Sequence, residues 1–486
     1  MPDVLPVEYL EYNRVLPLAV DDGRVRVAAV GEPAEHVLED LRQLFGVAVE
    51  VVPVSEDALT DAIRRVDTAN DSVLELVRDM DRLGDDGPEE EAALADVRDL
   101  ARQAPVVRFV SLLIREAAQA GASDIHLDAA RDGLRIRFRV DGVLSEVPAP
   151  PRQLQAAVVS RIKLLAELDI AERRLPQDGR IRFRLDDRGL DLRVAAAPTH
   201  FGESLTLRLL DRGGRPVALG ELGMGPNVLA DMEQLARRRH GIVLVCGPTG
   251  SGKTTTLYAA LALRDADAEK IMTVEDPVEY ELPGVTQIAV DAEHGMTFAR
   301  ALRTMVRHDP DVLMVGEIRD EESADIAVRA AMTGHLVFST LHTNDALGAI
   351  PRLLDLKVPP YLVAATVEGI LAQRLVRRIC PECKHDHAVD PDVVALLAER
   401  PARRVKLKRG EGCASCRNTG YRGRTGLFEL LRFDDEVRDA IGRGAEASAL
   451  RALGAVQQMA TLKQDGWAKV QAGVTTIEEV FRVVQS

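Results

Sequence analysis

The stretch G-P-T-G-S-G-K-T at positions 247–254 follows an apolar run at 242–246 and precedes a helix-compatible stretch at 255–262. This order of strand, glycine-rich loop and helix is the context that a phosphate-binding P-loop requires. Glycines let backbone N–H groups curl around phosphate oxygens, and the helix directs its positive end at the anion. A chance glycine-rich turn would need neither the Gly-Lys-Thr ending nor these flanking elements. The stretch therefore predicts a nucleotide site.

The side chains of this loop have separate tasks. Lys253 is expected to reach the β- and γ-phosphates of ATP, and Thr254 to offer its hydroxyl to Mg²⁺. The expected nucleotide-binding residues are Gly247, Pro248, Thr249, Gly250, Ser251, Gly252, Lys253, Thr254 and Thr255.

Composition excludes several classes of function. The chain has 486 residues, too many for one core, and about three or four domains are expected. Its formal net charge of -15 argues against a general nucleic-acid-binding surface. No apolar run approaches the roughly 20 residues that span a bilayer, and the first residues lack the pattern of a signal peptide. We therefore expect a cytoplasmic protein that reaches a membrane only through partners.

Four of the five cysteines form two pairs, Cys380-x-x-Cys383 and Cys413-x-x-Cys416. In a cytosolic protein such pairs favour metal over disulfides, and four thiolates complete a tetrahedral zinc site. Redox motifs or unrelated surface cysteines are the alternatives. The long stretch between the pairs implies a small zinc subdomain. Cys246, just before the P-loop, is expected to be a buried small hydrophobic residue.

Shifts in composition and patterning divide the chain into segments. The first, 1–66, is predicted to be a small α/β unit with a hairpin around 21–23, a helix at 34–45, a strand at 47–52 and a helix after 55. It carries no catalytic motif, so it is expected to bind a partner or simply to pack. The others are a mobile acidic linker with helical fragments at 67–104, a second domain at 105–217, the P-loop core at 218–376, the cysteine subdomain at 377–426 and C-terminal helices at 427–486.

Strict alternation marks several strands of the second domain. Apolar residues alternate with arginines at 134–140 and 180–185, and leucines alternate with polar residues at 205–209. A period of two predicts a sheet with one buried face and one arginine-lined face. Most of these arginines are expected to be solvated. A few would reach a polyanion, which on an acidic P-loop protein would be nucleotide phosphate.

Three polar clusters follow the P-loop, each at the end of an apolar run. They read E-D-P-V-E at 275–279, G-E-I-R-D at 316–320 and S-T-L-H-T-N at 339–344. Alternating strands and helices in this region predict a parallel sheet wound on both sides. Because ligands of open α/β sheets bind at the carboxyl ends of the strands, we expect all three clusters to surround the nucleotide.

These residues match a family: the chain resembles the ATPases of type II secretion and type IV pilus assembly, the general secretion pathway protein E-like motors. The resemblance begins near Ala122 and runs into the C-terminal region. The motifs that carry it, besides the P-loop and the cysteine pairs, are A-S-D-I-H-L at 122–127, R-F-R-V-D-G at 137–142, P-Q-D-G-R at 176–180, an Asp box at 275–279, a Walker B segment at 309–320 and a His box at 333–344. Pilus-retraction motors resemble the core but lack the tetracysteine insert, which disfavours retraction.

The resemblance implies a fold and a set of site residues. The fold is α/β, with a RecA-like ATPase core preceded by a PAS-like α+β domain and a small N-terminal α/β domain, and with a tetracysteine zinc subdomain. Glu317 would act on Mg²⁺ through water, and Glu279 would position or deprotonate the attacking water. His342 would sense phosphate, a role that His335 fits less well. Arginines from the second domain would reach the nucleotide, with Arg180, Arg193 and Arg208 as candidates, and Arg303 and Arg307 lie near the Walker B segment.

The resemblance also implies partners. The chain would form a homo-hexamer, associate peripherally with the inner membrane and dock through its first domain on membrane proteins of the secretion platform. That short first domain favours type II secretion over pilus assembly. A nucleotide-gated scaffold without turnover and a nucleic-acid translocase are the other readings. Retention of Lys253, Glu279 and Glu317 disfavours the scaffold, and the acidic charge disfavours the translocase.

Overall fold

The structure, a computed structural model, describes residues 10–62 apart from 11–12, 22–23, 32, 46, 57 and 60–61, and positions 73, 74, 76, 77 and 80. It also describes 104–484 apart from 186–187, 212–216, 292–293, 390–392, 395–404, 446, 454–455 and 457. The chain divides into two compact units, Met1–Gly213 and Gly214–Ser486.

The first unit begins with a small mixed sheet. Its elements are β1 (Val15–Asp21), β2 (Arg24–Ala29), α1 (Glu35–Phe45) and β3 (Ala48–Pro53). β1 and β2 pair in antiparallel, and β3 joins β2 in parallel after the α1 crossover. Val25 and Val27 on β2 pack against Leu41 of α1, because alternate strand residues share a face. The helix predicted after Ser55 lies partly outside the described residues.

The second part of this unit is an antiparallel sheet with helices on one face. Its elements are α2 (Ala104–Gln119), β4 (Ala122–Ala130), β5 (Gly133–Val140), β6 (Val143–Val147), α3 (Arg152–Leu165), β7 (Gln177–Leu185), β8 (Arg188–Thr199) and β9 (Gly202–Asp211). The strand order is β6-β5-β4-β9-β8-β7. Ile136 and Leu207 point from the sheet into a core that contains Phe109 of α2 and Ile162 of α3. The alternation in the sequence therefore predicts the buried face of an α+β domain.

Part of the predicted mobile linker is packed. Val73, Val77 and Met80 are buried in the core of the α+β domain, beside Val106. Their spacing places three apolar side chains on one face of a helix, and an apolar stripe of this kind is stabilised by burial. Of the rest of the predicted linker, residues 67–72, 75, 78–79 and 81–103 lie outside the described residues, and residue 104 begins α2.

The second unit is built on a sheet of seven described strands, in the order β12-β11-β13-β14-β10-β15-β18. The strands of the unit are β10 (Gly241–Cys246), β11 (Ile271–Glu275), β12 (Thr286–Ala289), β13 (Val312–Val315), β14 (Leu336–Leu341), β15 (Val367–Ile379), β16 (Lys384–Val389), β17 (Val405–Gly410) and β18 (Tyr421–Arg432). The strands from β12 to β15 in this order are parallel, and β18 pairs with β15 in antiparallel.

Helices cover both faces of this sheet. They are α4 (Pro226–Ala236), α5 (Lys253–Leu261), α6 (Phe298–Met305), α7 (Glu321–Met332), α8 (Ala349–Asp355), α9 (Pro360–Thr366), α10 (Asp435–Gly442), α11 (Ala447–Arg451), α12 (Leu462–Gln471) and α13 (Ile477–Val484). Leu244 on β10 lies in the core with α6 and α7, whereas Val243 and Val245 lie in the core with α4 and α5. Because β10 is buried on both faces, its sequence is apolar without alternation.

One predicted boundary differs from the structure. Residues 427–432, expected to belong to the C-terminal helices, complete β18 at the edge of the large sheet. Leu427 and Leu431 are buried in the main core. A short apolar run of this kind has the same appearance in a buried strand and in a buried helix, so periodicity alone did not separate them. Along the described part of the chain, every helix is too short or too polar to cross a bilayer.

Candidate nucleotide and metal sites

The P-loop and the three polar clusters leave the same edge of the large sheet. Strands β11, β13, β14 and β10 are consecutive neighbours and run in parallel, so their carboxyl ends lie side by side. Side chains fasten the loops to one another: Thr340 Oγ1 donates to the carbonyl oxygen of Gly316 at 2.7 Å. The backbone N–H of Gly247 donates to the carbonyl oxygen of Leu341 at 3.3 Å. The site is thus assembled by strand order.

Lys253 begins α5, and its side chain folds back over the P-loop. Its Nζ donates to the carbonyl oxygens of Gly247 at 2.9 Å and Pro248 at 3.0 Å. Burial lowers the pKa of Lys253, and the nearby carboxylate of Glu317 opposes that effect. The ammonium group is therefore held inside the loop with an acid of the second cluster close by.

The loop fits a nucleotide phosphate. Gly252 caps α5 with φ +86°, a conformation that favours glycine, and a Cβ there would lie 2.9 Å from Gln373 Nε2. Ser251 Oγ is buried and has no hydrogen-bond partner among the described residues. Buried hydroxyls normally have a partner, and a phosphate oxygen would supply one. Thr254 follows Lys253 in the first turn of α5, where its hydroxyl is suited to Mg²⁺.

The second and third clusters meet at Glu317. One of its carboxylate oxygens, Oε2, lies 3.2 Å from His342 Nε2, and the other pairs with Arg319. The hydrogen bond to Glu317 raises the pKa of Arg319, and Asp276 of the first cluster adds to the effect. With its side chain only 12% exposed, Glu317 is held between a histidine and an arginine at the sheet edge.

The first cluster contains two glutamates in different environments. Glu275 is buried and accepts hydrogen bonds from the Tyr258 hydroxyl, from Thr273 Oγ1 at 2.5 Å and from Gln287 Nε2 at 3.1 Å. Glu279 is half-buried, and its backbone N–H is hydrogen-bonded to the same Tyr258 hydroxyl. Glu275 therefore fixes the base of the loop, while Glu279 is the glutamate of this cluster that solvent reaches.

His335 lies away from this site. It precedes β14, whereas His342 follows that strand, so the two are separated by about 23 Å at roughly 3.3 Å per residue. His335 Nδ1 lies 2.8 Å from the carbonyl oxygen of Ala330 and 3.1 Å from Thr333 Oγ1. It therefore caps the carboxyl end of α7, and the expectation that it shares the role of His342 is wrong within its own chain.

The two arginines near the Walker B segment are exposed. Arg303 on α6 forms an ion pair with Glu322 on α7, which accounts for its position at the surface. Arg307 is exposed two residues beyond the end of α6. Among the described residues, neither arginine contacts Glu317 or Lys253, so no geometry ties them to the nucleotide loop.

The candidate arginines of the first unit lie in one row. Arg180 on β7 is opposite Arg193 on β8, and Arg193 is opposite Arg208 on β9. Directly opposed residues share one face of a sheet, so three guanidinium groups project from the same side. Arg208 Nε also donates to Oδ1 of the buried Asp124 at 2.9 Å. Like charges opposite one another are destabilising. A row of three arginines therefore favours the interpretation that this face of the sheet binds an anion.

The arginines of β5 each have a carboxylate partner in their own domain. The ion pairs are Arg135–Glu146, Arg137–Asp128 and Arg139–Asp124. They match the expectation that most arginines of this face are part of a solvated, charged surface.

The four paired cysteines form one cluster. Their Sγ atoms all lie within 4.8 Å of one another. Three of the separations are 3.8 Å for Cys380–Cys413, 3.9 Å for Cys383–Cys416 and 3.7 Å for Cys413–Cys416. A tetrahedral zinc with bonds of about 2.3 Å to sulfur requires edges of about 3.8 Å. The cluster therefore fits a closed structural zinc site, and the donor set is the one that zinc prefers.

Backbone N–H groups stabilise the thiolate form of one cysteine of this cluster. Cys416 Sγ accepts from the N–H of Cys413 at 3.2 Å and from that of Gly420 at 3.3 Å. Burial alone would raise the pKa of Cys416, but these hydrogen bonds outweigh it and lower the pKa to about 6. Cys246, in contrast, is buried beside the P-loop, and burial raises the pKa of its thiol to about 12, as expected of a small core residue.

Sequence reasoning missed two residues of β15. Gln373 packs beneath the P-loop and accepts a hydrogen bond from Thr256 Oγ1 at 2.6 Å. Arg374 donates to Asn344 in the loop that follows β14. The available signal was a polar pair in the middle of the apolar run G-I-L-A-Q-R-L-V at 369–376. Buried polar residues in a strand indicate specific partners.

A parallel sheet with a P-loop, buried lysine and convergent acids at its carboxyl edge defines a P-loop ATPase. A family model described as type II/IV secretion system protein matches residues 99–482, and one described as MshEN domain matches residues 1–72. The chain belongs to the type II/IV secretion system protein family, as the motifs predict.

Relatives are similar over most of their length. Type II secretion system protein HxcR of Pseudomonas aeruginosa is 50% identical, covering 84% of this chain and 82% of that protein. Type II secretion system protein E of Dickeya dadantii is 44% identical, covering 99% of this chain and 97% of that protein. Type II secretion system ATPase E of Vibrio cholerae is 46% identical, covering 80% of this chain and 77% of that protein.

A solved structure supports the same class. The pilus retraction motor PilT with bound ADP is 28% identical, with a TM-score of 0.53, and covers 77% of this chain and 96% of that chain. The chain is thus an ATP-hydrolysing enzyme of the secretion ATPase family.

Proposed function

We propose that this chain forms a homo-hexamer that hydrolyses ATP to drive pseudopilus assembly and protein export in a type II secretion system. The observation that carries the proposal is its similarity to type II secretion system protein E of Dickeya dadantii, 44% identical across 99% of this chain. That similarity includes the N-terminal domain, the part in which related motors differ.

Each element of the site has a proposed role. Lys253 holds the β- and γ-phosphates as a point charge, and Glu279 positions or deprotonates the attacking water. Bound Mg²⁺ would neutralise phosphate charge, with Thr254 as a ligand and Glu317 acting through water. His342 senses the phosphate through its contact with Glu317, which lies 3.2 Å away.

The arginine row completes the nucleotide site when a ring forms. Three guanidinium groups on one face of the sheet offer positive charge to the phosphates. In other P-loop enzymes, an arginine at the γ-phosphate contributes roughly 10³ to 10⁵ in rate. Arg193 and Arg208 are the leading candidates, followed by Arg180.

Zinc has a structural role in this proposal. Four thiolates would hold the ion in a closed site with no open position for chemistry. The cluster joins the end of β15, which precedes Cys380, to the start of β18, which follows Cys416. The metal would therefore stabilise the hairpin of β16 and β17 on the edge of the ATPase sheet.

The N-terminal domain is proposed to dock on a membrane protein of the secretion platform. It carries no catalytic motif, and its small mixed sheet precedes the α+β domain in sequence. The enzyme would be cytoplasmic and bound peripherally at the inner membrane through this partner, without nucleic acid.

A type IV pilus-assembly motor is the second candidate, since a motor of the pilus machinery, the pilus retraction motor PilT, is 28% identical to this chain. A strain that lacks this chain separates the two functions. Type II secretion predicts that exported enzymes accumulate inside the cell while pili persist. Loss of surface pili with normal export would favour pilus assembly.

The docking role is tested with a variant that lacks residues 1–66 and keeps Val73, Val77 and Met80, which are buried in the core of the α+β domain. The purified variant should hydrolyse ATP at the wild-type basal rate and fail to sediment with inner membranes. Normal membrane association would place the docking surface elsewhere.

A further inference from the structure

Two charged residues are buried on β15 and β18, which are neighbouring strands of the large sheet. Arg374 on β15 is 5% exposed, and Glu429 on β18 is 6% exposed. Glu429 is opposite Ala372 in the antiparallel pairing of these strands, so Glu429 and Arg374 share a face of the sheet. Buried charges are costly unless hydrogen bonds compensate them, so their partners are informative.

Arg374 is bonded to the loop that follows β14. Its Nη2 donates to the carbonyl oxygen of Asn344 at 3.0 Å and to Asn344 Oδ1 at 3.1 Å. Asn344 lies two residues beyond His342. A planar guanidinium that holds the backbone and the side chain of one residue restricts both its position and its orientation.

Glu429 holds the same loop two residues further on. Its Oε1 accepts from the backbone N–H of Ala346 at 3.0 Å, and its Oε2 accepts from the N–H of Leu462 at 3.3 Å. Leu462 is the first residue of α12. One buried carboxylate therefore ties the loop that follows β14, called the His342 loop below, to the beginning of a C-terminal helix.

The contacts of Arg374 and Glu429 restrict the loop that carries His342. The loop leaves β14, passes His342 with its contact to Glu317, and is then fixed by two buried charges. We propose that Arg374 is a positioning residue for ATP hydrolysis. By fixing Asn344, Arg374 holds His342 against Glu317. Glu429 anchors the same loop at Ala346 and couples it to α12. The inference rests on the proposed role of His342.

A partly buried arginine elsewhere in this unit, with its side chain 23% exposed, provides a control. Arg438 on α10 forms an ion pair with the buried Glu368 at 2.7 Å and donates to the carbonyl oxygen of Phe433 at 3.1 Å. Arg438 also donates to the carbonyl oxygen of Ala364. None of these partners belongs to the His342 loop. Arg438 therefore stabilises the fold without the proposed link to the site.

The test is a double-mutant cycle in the full chain. Arg374→Lys keeps the charge and removes the guanidinium nitrogen, Nη2, that makes both hydrogen bonds to Asn344. His342→Ala removes the group that is positioned. ATP turnover, KM and the dissociation constant of a fluorescent ATP analogue are measured for both single variants and for the double variant. Asn344→Ala is added because its exposed side chain can be removed with little effect on folding.

We expect Arg374→Lys to lower kcat by on the order of 10²-fold, the cost of a displaced catalytic group, with unchanged nucleotide affinity. Asn344→Ala should lower kcat less, since Arg374 keeps the backbone oxygen. In the His342→Ala background, Arg374→Lys should have no further effect, because both changes remove the same function. Arg438→Lys should lower the melting temperature and leave kcat and its response to His342→Ala unchanged.

The outcomes distinguish failure of the positioning role of Arg374 from failure of the role proposed for His342. If His342→Ala turns over ATP like wild type, the proposed role of His342 fails. If His342→Ala is impaired but the losses from Arg374→Lys and His342→Ala multiply, Arg374 acts independently and the positioning role is overturned. An Arg374→Lys protein that loses stability like Arg438→Lys but keeps wild-type kcat also overturns it.

Discussion

The imidazole of His342 lies 3.2 Å from the carboxylate of Glu317, although the two residues are 25 positions apart in the chain. The contact exists because β13 and β14 are parallel neighbours whose carboxyl ends release both residues at one edge. This contact places His342 where the proposed role, a response to a change in charge at the phosphates, requires it. The pair therefore connects the nucleotide site to the loop that Arg374 and Glu429 hold.

Glu279→Gln should abolish hydrolysis and preserve ATP binding. An amide cannot accept the proton of the attacking water, and general-base catalysis typically contributes 10² to 10⁴ in rate. Turnover and binding of a fluorescent ATP analogue measure the two effects separately. Glu281→Gln, an exposed acid two residues away, serves as the control and should behave as wild type. Full turnover in Glu279→Gln would refute the assignment.

One zinc ion per chain is expected in freshly purified protein. Metal analysis of Cys413→Ser should show that zinc is lost, while Cys246→Ala, outside the cluster, should retain it. Structural zinc contributes on the order of 10 kcal/mol of apparent binding energy near pH 7. Acidification should release the ion because the ligands must be thiolates. Zinc-free wild-type protein with four freely alkylated thiols would contradict the site.

Turnover per chain should rise steeply with protein concentration, as rings bring the arginine row to the nucleotide. The variants Arg208→Ala and Arg193→Ala should still bind ATP. At concentrations where rings form, their turnover should be at least about 10³-fold below that of wild type. Arg182→Ala is the control, since this exposed arginine lies on β7 outside the row. Constant specific activity down to monomeric concentrations would exclude the ring requirement.

Glu479 is expected to make stability depend on pH. Burial alone would raise the pKa of this carboxyl, but hydrogen bonds from Arg377 and Arg482 outweigh burial and lower the pKa to about 2 from 4.5. This difference corresponds to about 3 kcal/mol of stability. Because the pKa in the folded state is depressed, the contribution is complete above about pH 5 and is lost as pH falls toward 2.

The measurement compares Glu479→Gln with wild type in urea, followed through Trp467, the only tryptophan of the chain. Trp467 packs against the core that contains α13. The stability difference should be largest at pH 7 and fall below about half of that value at pH 3. A difference that does not change with pH would show that the ion pairs do not set the pKa.

Much of this protein was predictable from local sequence. The P-loop needs only neighbouring residues, because glycine geometry and a helix terminus create the phosphate site within a few positions. The strands of the α+β domain follow from a period of two, and the pairing of cysteines at short spacing indicates a metal. These features depend on contacts close in sequence, so the chain determined them without reference to its distant parts.

Tertiary structure decided what depends on strand order and register. His335 and His342 occur in one motif, yet β14 places them at opposite edges of the sheet, so strand direction gives them different roles. The alignment of Arg180, Arg193 and Arg208 follows from the register of three strands, which no local pattern fixes. Arg374 and Glu429 appear in the sequence as isolated charges in apolar runs. Their partners come from loops far along the chain, because burial forces a charge to find a hydrogen bond wherever the fold brings one near.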